Sequence, residues 1–344
     1  MKQESNGVIN FNSRKVGKMI NLALCGTGFI ADYFMSLANK IDDLTVAAVL
    51  GIDQTTANEF ADKYNIKKSY SDYDQILADK EIQFVYIALP NNLHYPFAKK
   101  ALLAQKHVIV EKPFVATAAQ IDELIRLAKN NHVMIFDAII TKYIPLMDTI
   151  RENIDRVGDI RSITSDYCQY SHNYEMVRNG KIPSVFDLHK DGGALKDLGI
   201  YPITFIVSLF GKPKEVNYYA NKLPNGCDTS GTIVMKYEKK VATIRIAKDS
   251  FTENRCTIEG LNGTLFVDSD SYRFPNLRFK ETNENESVLL GTFTESGLVN
   301  EFNVFVNIYK NNEYEKSYQL VELGKNVIEV LNEAAESANI VYGK

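Results

Sequence analysis

Cysteine is scarce and scattered in this 344-residue chain: Cys25, Cys168, Cys227 and Cys256 stand far apart, with no CxxC and no Cys/His pairing. That spacing excludes the usual signatures of a zinc site or a disulfide framework, so no metal is expected, and a reducing, cytoplasmic setting fits best. Long apolar runs are missing as well. No stretch approaches the roughly 18 apolar residues of a membrane span, and the first eighteen residues, MKQESNGVINFNSRKVGK, lack the apolar centre of a secretory signal. No membrane partner is expected, and residues 1–18 read as a mobile tail. A basic block is also absent: 39 Lys and Arg stand against 43 Asp and Glu, mixed along the chain, for a net charge of −4. Nothing here would track a phosphate backbone, so nucleic acid is not an expected partner. Internal repeats and low-complexity tracts are absent too.

What is present is a pattern of two kinds. From Met19 short apolar runs alternate with longer amphipathic ones, which is the signature of βαβ units and a parallel sheet. Strands are predicted at 20–25, 44–50, 83–89, 107–110 and 133–136, each continuously apolar as a strand covered on both faces must be. Helices are predicted at 30–39, 55–64, 73–78, 94–104 and 118–129, with Thr55 and Thr117 as caps for two of them. After about Ala138 the pattern changes. A helical stretch at 144–154 leads into period-two strands at 161–167, 215–219, 229–237 and 241–247, joined by short turns such as Glu238-Lys239-Lys240 and Leu261-Asn262-Gly263. Such strands are mostly antiparallel, and one face of their sheet can meet water or another subunit. A closing helix is predicted at 316–339. The expected fold is therefore α/β, with residues 19–138 forming the first domain and 139–344 a second, α+β domain for substrate and oligomerisation.

The chemistry-bearing residues cluster where strands end. Gly26-Thr27-Gly28-Phe29-Ile30-Ala31 follows the first strand and opens a helix, the context a GxGxxA dinucleotide fingerprint requires. Gly26 would permit the turn, Gly28 would let the backbone approach a pyrophosphate beside Phe29 and Ile30, and Ala31 would let helix and strand pack closely. Asp53, just past the second strand, is placed either to bind the adenosine ribose or to start the next helix as a cap. Leu89-Pro90-Asn91-Asn92-Leu93-His94 and Glu111-Lys112-Pro113 lie at two further strand ends, where the nicotinamide half of a cofactor would sit. Pro90, Asn91, His94, Glu111 and Lys112 are candidates for contact with it, although a turn and helix cap explain Asn91 and His94 equally well. Lys112, wedged between a buried strand and a proline, has little stabilising reason to be there, and an X-Pro bond at a site can be cis.

In the second domain, Asp191-Gly192-Gly193-Ala194-Leu195-Lys196-Asp197-Leu198-Gly199-Ile200-Tyr201-Pro202 leads a helical run to Phe210 but breaks helix rules at Gly199 and Pro202. Local conflict of this kind often marks a site. Asp197 and Tyr201 are four apart and share one face of a helix, which points a carboxylate and a phenol the same way. An exposed Asp and a core Tyr would be the plain structural alternative.

Taken in order, GTGFIA, LPNNLHYP, HVIVEKPF and DGGALKDLGIYPI resemble the motif series of the Gfo/Idh/MocA family of oxidoreductases, covering the chain from Met19 nearly to its end. The resemblance implies an N-terminal Rossmann domain, followed by an α/β domain whose large, mostly antiparallel open sheet builds a homodimer or homotetramer. It makes Lys112 the active-site lysine of the EKP motif, Asp197 the acid of the substrate-domain helix, and Tyr201 the counterpart of a frequent histidine. Tyrosine there resembles the glucose-fructose oxidoreductase and dihydrodiol dehydrogenase branch. Two positions depart from the pattern: Asp191 replaces a common first glycine, and Ile52 stands where NADP-using members often carry arginine. The implied cofactor is NAD or NADP, with NAD favoured, although Gly51 occupies the place of an NAD-selective acid.

The reaction implied is reversible hydride transfer between a nicotinamide and a carbinol or carbonyl carbon of a sugar, polyol or related alcohol. Lys112, Asp197 and Tyr201 form the expected catalytic set. Tyr201 would carry the proton, its free pKa of about 10 lowered by the Lys112 charge. Tyr143, Tyr167, Gln169, Tyr170, His172, Phe186 and His189 are candidate pocket residues for a polyhydroxylated ligand. The rival reading is a catalytically silent, cofactor-sensing regulator of the same fold.

Overall fold

A computed structural model describes residues 19–270, 273 and 276–342. The predicted tail at 1–18 lies outside the described residues. Among the described residues the chain builds two sheets. The first holds β1 (Ile20–Cys25), β2 (Leu44–Leu50), β3 (Lys68–Tyr70), β4 (Phe84–Ile87), β5 (His107–Glu111) and β6 (Ile135–Ala138), in the order β3-β2-β1-β4-β5-β6 and parallel throughout. Helices α1 (Phe29–Leu37), α2 (Gln54–Tyr64), α3 (Tyr73–Ala78), α4 (Asn91–Leu103) and α5 (Ala118–Asn131) connect these strands. Leu22, Ala23, Leu24, Val85, Tyr86 and Val110 are fully buried, as expected for strands covered on both faces. Strand order reverses between β1 and β4, so their carboxyl ends open onto a crevice, the usual ligand position in such sheets.

Three local differences from the sequence reading have plain causes. β3 was not expected, because Lys68-Ser69-Tyr70 is a half-buried edge strand too short and polar to show a period. α2 is capped by Asp53, whose carboxylate accepts from the Thr56 amide at 2.7 Å, so Thr55 is not the cap but lies inside the helix. β6 starts at Ile135 because His132 takes a left-handed conformation (φ 54°) and the Val133 amide turns back to Ala128, closing α5. Thr117 does cap α5, in a capping box with Gln120.

The second sheet contains β7 (Ile160–Cys168), β8 (Glu215–Lys222), β9 (Asp228–Lys236), β10 (Val241–Ala247), β11 (Cys256–Gly260), β12 (Gly263–Val267), β13 (Asn276–Glu281) and β14 (Val288–Thr292). Their order is β14-β13-β12-β11-β7-β10-β9-β8, antiparallel except where β7 and β10 run parallel at the centre. Helices α6 (Leu146–Asn153) and α7 (His172–Arg178) flank β7, and α8 (Ile200–Phe210) lies buried against β7 and β10. Residues 188–210 are apolar enough by length and composition to cross a membrane, and most of that stretch is buried inside the protein.

The chain ends in two helices where one was predicted: α9 (Gly297–Lys310) and α10 (Tyr314–Ser337). α9 returns to the first sheet, where Phe302 packs against Phe34 and Tyr86 with ring centroids 4.7 and 5.0 Å apart. Such aromatic pairs contribute about 0.5–1.5 kcal/mol each beyond their buried area. α10 touches α5 and β6 on one side and α8 and β8 on the other, so one helix ties both sheets together.

Candidate active site

The crevice between β1 and β4 is built by leaving side chains out. Gly26 has φ +118°, and a Cβ there would strike the Ala88 carbonyl oxygen, so only glycine fits the turn. Gly28 differs. It is the N-cap of α1, makes no side-chain cap bond, and a Cβ on it would meet nothing within 4 Å. The first turn of α1 therefore has open space at Gly28, and the amides that open a helix are the kind of donors that can receive an anion. Phe29 is exposed beside it, Ile30 is half-buried, and Ala31 is fully buried against the sheet. At the end of β2, Gly51 packs on Ala57, Ile52 is exposed, and the Asp53 carboxylate caps α2, the structural alternative left open for it. That cap bond also holds the Asp53 carboxyl below the ordinary range.

The two strand ends across the crevice are locked to one another by His94. Its ring is buried, with Nδ1 2.8 Å from the Pro113 carbonyl and Nε2 2.8 Å from the Leu89 carbonyl. Burial lowers its pKa against the pull of those carbonyls. The helix cap is Pro90, with Asn91 the first residue of α4, so His94 is neither cap nor surface contact but a clamp between the β4 and β5 loops. Glu111 is also turned to the scaffold: its carboxyl accepts from the Tyr86 hydroxyl and from the Lys112 amide at 3.1 Å, and burial raises its pKa. These bonds leave Lys112 at the tip of β5, and its peptide bond to Pro113 is cis.

Lys112 reaches the second domain. Its Nζ lies 2.9 Å from Asp197 Oδ1 and 3.3 Å from the Asp197 carbonyl, and 5.2 Å from the ring centroid of Tyr201. The three residues singled out as catalytic therefore meet. Asp197 does not sit on an α-helix, however: Leu195–Gly199 is a π-helical segment that runs into α8. The rule-breaking Gly199 and Pro202 are accounted for by this widened turn, since Pro202 has no N–H to return into an α-helical ladder. Asp191 takes a left-handed φ of 57°, a conformation aspartate tolerates in place of glycine, and its carboxylate accepts from Lys196 at 2.7 Å.

Two residues missed in the sequence complete the cluster. Lys248 is buried and donates to Asp197 Oδ2, so two ammoniums share one carboxylate. Burial works to raise the Asp197 pKa, but Lys112 and Lys248 outweigh it and hold the carboxyl well below the usual range. Burial likewise opposes the Lys112 charge, and the Asp197 carboxylate overrides it, keeping the amine above the ordinary lysine range. A signal for Lys248 was present: the core-facing alternation Ala242, Ile244, Ile246 continues onto it. The second missed residue is Asp228, fully buried, whose Oδ2 accepts from the Leu195 amide at 2.6 Å and the Tyr218 hydroxyl at 2.8 Å. It fixes the start of the π segment and fills the space where a Gly193 side chain would go. Desolvation pushes its pKa up to about 6.

Of the pocket candidates, Tyr167 belongs here, its ring 5.6 Å from that of Tyr201. Tyr143 does not: it is buried in the first domain, donating to Asp137 Oδ1 at 3.0 Å. Phe186 is a core residue against Tyr174, and Tyr170 pairs with Glu175 at the surface. The Gln169 backbone N–H donates to the Ala247 carbonyl, while His172 and His189 are exposed.

Comparison with known proteins agrees with this fold over most of the chain. Residues 20–138 match a family described as an oxidoreductase family with an NAD-binding Rossmann fold, and residues 147–266 match the GFO/IDH/MocA C-terminal domain. The NADP-dependent scyllo-inositol 2-dehydrogenase IolU of Bacillus subtilis is 31% identical, over 94% of this chain and 98% of its own. The trans-1,2-dihydrobenzene-1,2-diol dehydrogenase of Mus musculus is 30% identical, over 62% of this chain and 64% of its own. The same fold is found in the 3-ketoreductase KijD10 of Actinomadura kijaniata, solved with NADP and TDP-benzene (TM-score 0.79, 18% identity, 93% of this chain and 98% of that one). It is also found in an inositol dehydrogenase homologue of Azotobacter vinelandii, solved with NADH and myo-inositol (TM-score 0.78, 18% identity, 94% and 96%).

Proposed function

The chain belongs to the Gfo/Idh/MocA oxidoreductases, and on that premise we propose that it oxidises or reduces a carbinol carbon of a sugar, polyol or related alcohol. The observation that carries this reading is the meeting of Lys112, Asp197 and Tyr201 at the carboxyl edge of the parallel sheet whose first strand ends on the Gly26–Gly28 turn. Nicotinamide, when bound, supplies the carbon that accepts or gives the hydride. Gly26, Gly28, Phe29 and Ile30 would hold the pyrophosphate, and Pro90, Asn91 and the backbone at Glu111 and Lys112 would receive the nicotinamide half. His94 and the Glu111 carboxyl serve by holding those loops. An exposed Asp53 carboxylate, with no cation beside it on Ile52, suits a ribose hydroxyl and repels a 2′-phosphate, which supports NAD over NADP.

The proton is handled by the chain itself. Tyr201 takes it from the substrate hydroxyl in oxidation and returns it in reduction, with the Lys112 ammonium 5.2 Å from the centre of its ring. Lys112, kept charged by Asp197, also draws electron density from the substrate oxygen. Asp197 still has lone pairs for substrate hydroxyls, because each carboxylate oxygen can accept more than one hydrogen bond.

The outward residues Tyr219, Val241 and Arg245 leave the second sheet a face suited to a second copy, supporting a homodimer or homotetramer. Four buried thiols suit a reducing compartment, and we place the protein in the cytoplasm. The experiment is an initial-rate screen of inositols, other polyols and aldoses with NAD and NADP. Turnover of any of them supports the reading, and no turnover of any of them with either cofactor would overturn it.

A further inference from the structure

We propose that Lys248 is a positioning residue for this reaction: it anchors Asp197 so that the Lys112 ammonium keeps an N–H for the substrate oxygen. The proposal rests on the dehydrogenase reading above. A buried ammonium needs a partner to offset its lost hydration, and the position, in register with Ala242, Ile244 and Ile246, would otherwise suit an apolar side chain. Its backbone is held on both sides: the Lys248 amide donates to the Thr229 carbonyl at 2.8 Å, and its carbonyl accepts from Ser171 at 2.9 Å. Asp249, next in the chain, is pinned by Thr229 and Ser230 at 2.6 and 2.8 Å. The side chain thus leaves a fixed backbone and ends on Asp197 Oδ2.

The consequence is a division of the carboxylate. Oδ1 serves Lys112 and Oδ2 serves Lys248, so the group cannot turn to offer both oxygens to Lys112. Asp197 keeps 37% of its side-chain surface open, against 15% for Lys112 and 6% for Lys248, so Lys248 is the most enclosed of the three. Lys112 donates to Asp197 Oδ1 and to the Asp197 carbonyl, which leaves one of its three N–H groups. Without Lys248, Asp197 would hold Lys112 with both oxygens, and the remaining donor would swing away from the cleft.

The test compares Lys248→Met and Lys248→Ala with the wild-type chain. For Lys248→Met we expect kcat to fall about 100-fold, the size of a small misplacement at a reacting centre, with NADH affinity unchanged. Ethylammonium should restore part of the Lys248→Ala rate in a saturable way, and ethanol should not. Acetylation of Lys112 in the cofactor-free protein, followed by mass spectrometry, should slow in Lys248→Met, because losing a neighbouring cation raises the pH at which Lys112 gives up its proton. Full kcat in Lys248→Met would overturn the proposal. So would a lost rate that ethylammonium does not restore, combined with unchanged Lys112 labelling. If the wild type turns over no alcohol, the function fails, while the labelling result still decides the role of Lys248.

Discussion

The two walls of the crevice work by opposite means. On the β1 side the chain leaves side chains out, at Gly26 and Gly28, so that a backbone can approach a ligand. On the π-segment side it packs charge in, with Lys112 and Lys248 on Asp197 and Asp228 behind them. An empty wall is specified by a few consecutive residues. A charged wall is assembled from β5, the π segment, β9 and the end of β10, and each part matters only once the others are in place. Binding should therefore follow the first wall and chemistry the second.

The largest effect separates them. Lys112→Met should lose nearly all turnover, on the order of 1,000-fold or more, with NADH binding intact, because general acid–base and electrostatic contributions vanish together. Steady-state kinetics beside a binding titration checks this, and equal losses in both would erase the distinction. On the other wall, Gly28→Val should lower the melting temperature by only about 2 °C, the cost of a poorer N-cap, since Gly28 has an ordinary φ of −87° and open space around it. Its cofactor affinity should drop about 10- to 100-fold, the cost of overfilling a fitted site. Gly26→Ala should instead destabilise the fold by about 1–3 kcal/mol, the usual cost of forcing a side chain into such a backbone.

Acid should act oppositely on His107, which opens β5 at the end away from the crevice, and on Asp228 behind the charged wall. Burial lowers the His107 pKa from 6.5 to about 4, so the unfolded chain binds more protons between those values, and its stabilisation is lost as pH falls through them. Asp228 is raised from 3.8 to about 6, so its folded form is favoured at low pH and that contribution is lost as pH rises across the same window. Each amounts to roughly 3 kcal/mol at most, at about 1.4 kcal/mol per unit. Denaturant titrations at several pH values should show His107→Gln less sensitive to acid and Asp228→Asn more so. Matching slopes in the two variants would contradict the assignment. The smallest effect is that of Asp53→Ala: a melting temperature about 2 °C lower through the lost cap, and a few-fold weaker preference for NAD in competitive binding.

Legibility in the sequence divided along the same line. The parallel strands, the glycine turn and the EKP lysine were readable because each is local: a run of apolar residues, a turn, a strand end. Asp197 and Tyr201 were found through a broken helix rule, although the break is a π segment and not a distorted α-helix. β3, α7, β13, β14 and α9 were missed: β3 is short and polar, α7 is short with no buried residue, and polar turns break up β13 and β14 and precede α9. Lys248 and Asp228 were missed for a deeper reason, since their meaning lies in contacts to residues 51 and 33 positions away. His94 and Glu111 were noticed at the correct strand ends, but which way their side chains turn depends on Pro113 and Tyr86, which no pattern in their own neighbourhood specifies.

The most direct measurement is a titration of the wild-type protein with NADH and NADPH, followed by nicotinamide emission, which is undisturbed here because the chain contains no tryptophan. Saturable binding is the expected result, tighter for NADH, retained in Lys112→Met and weakened about 10- to 100-fold in Gly28→Val. No binding of either cofactor by the wild type, or binding that Gly28→Val leaves untouched, would contradict the assignment of the crevice.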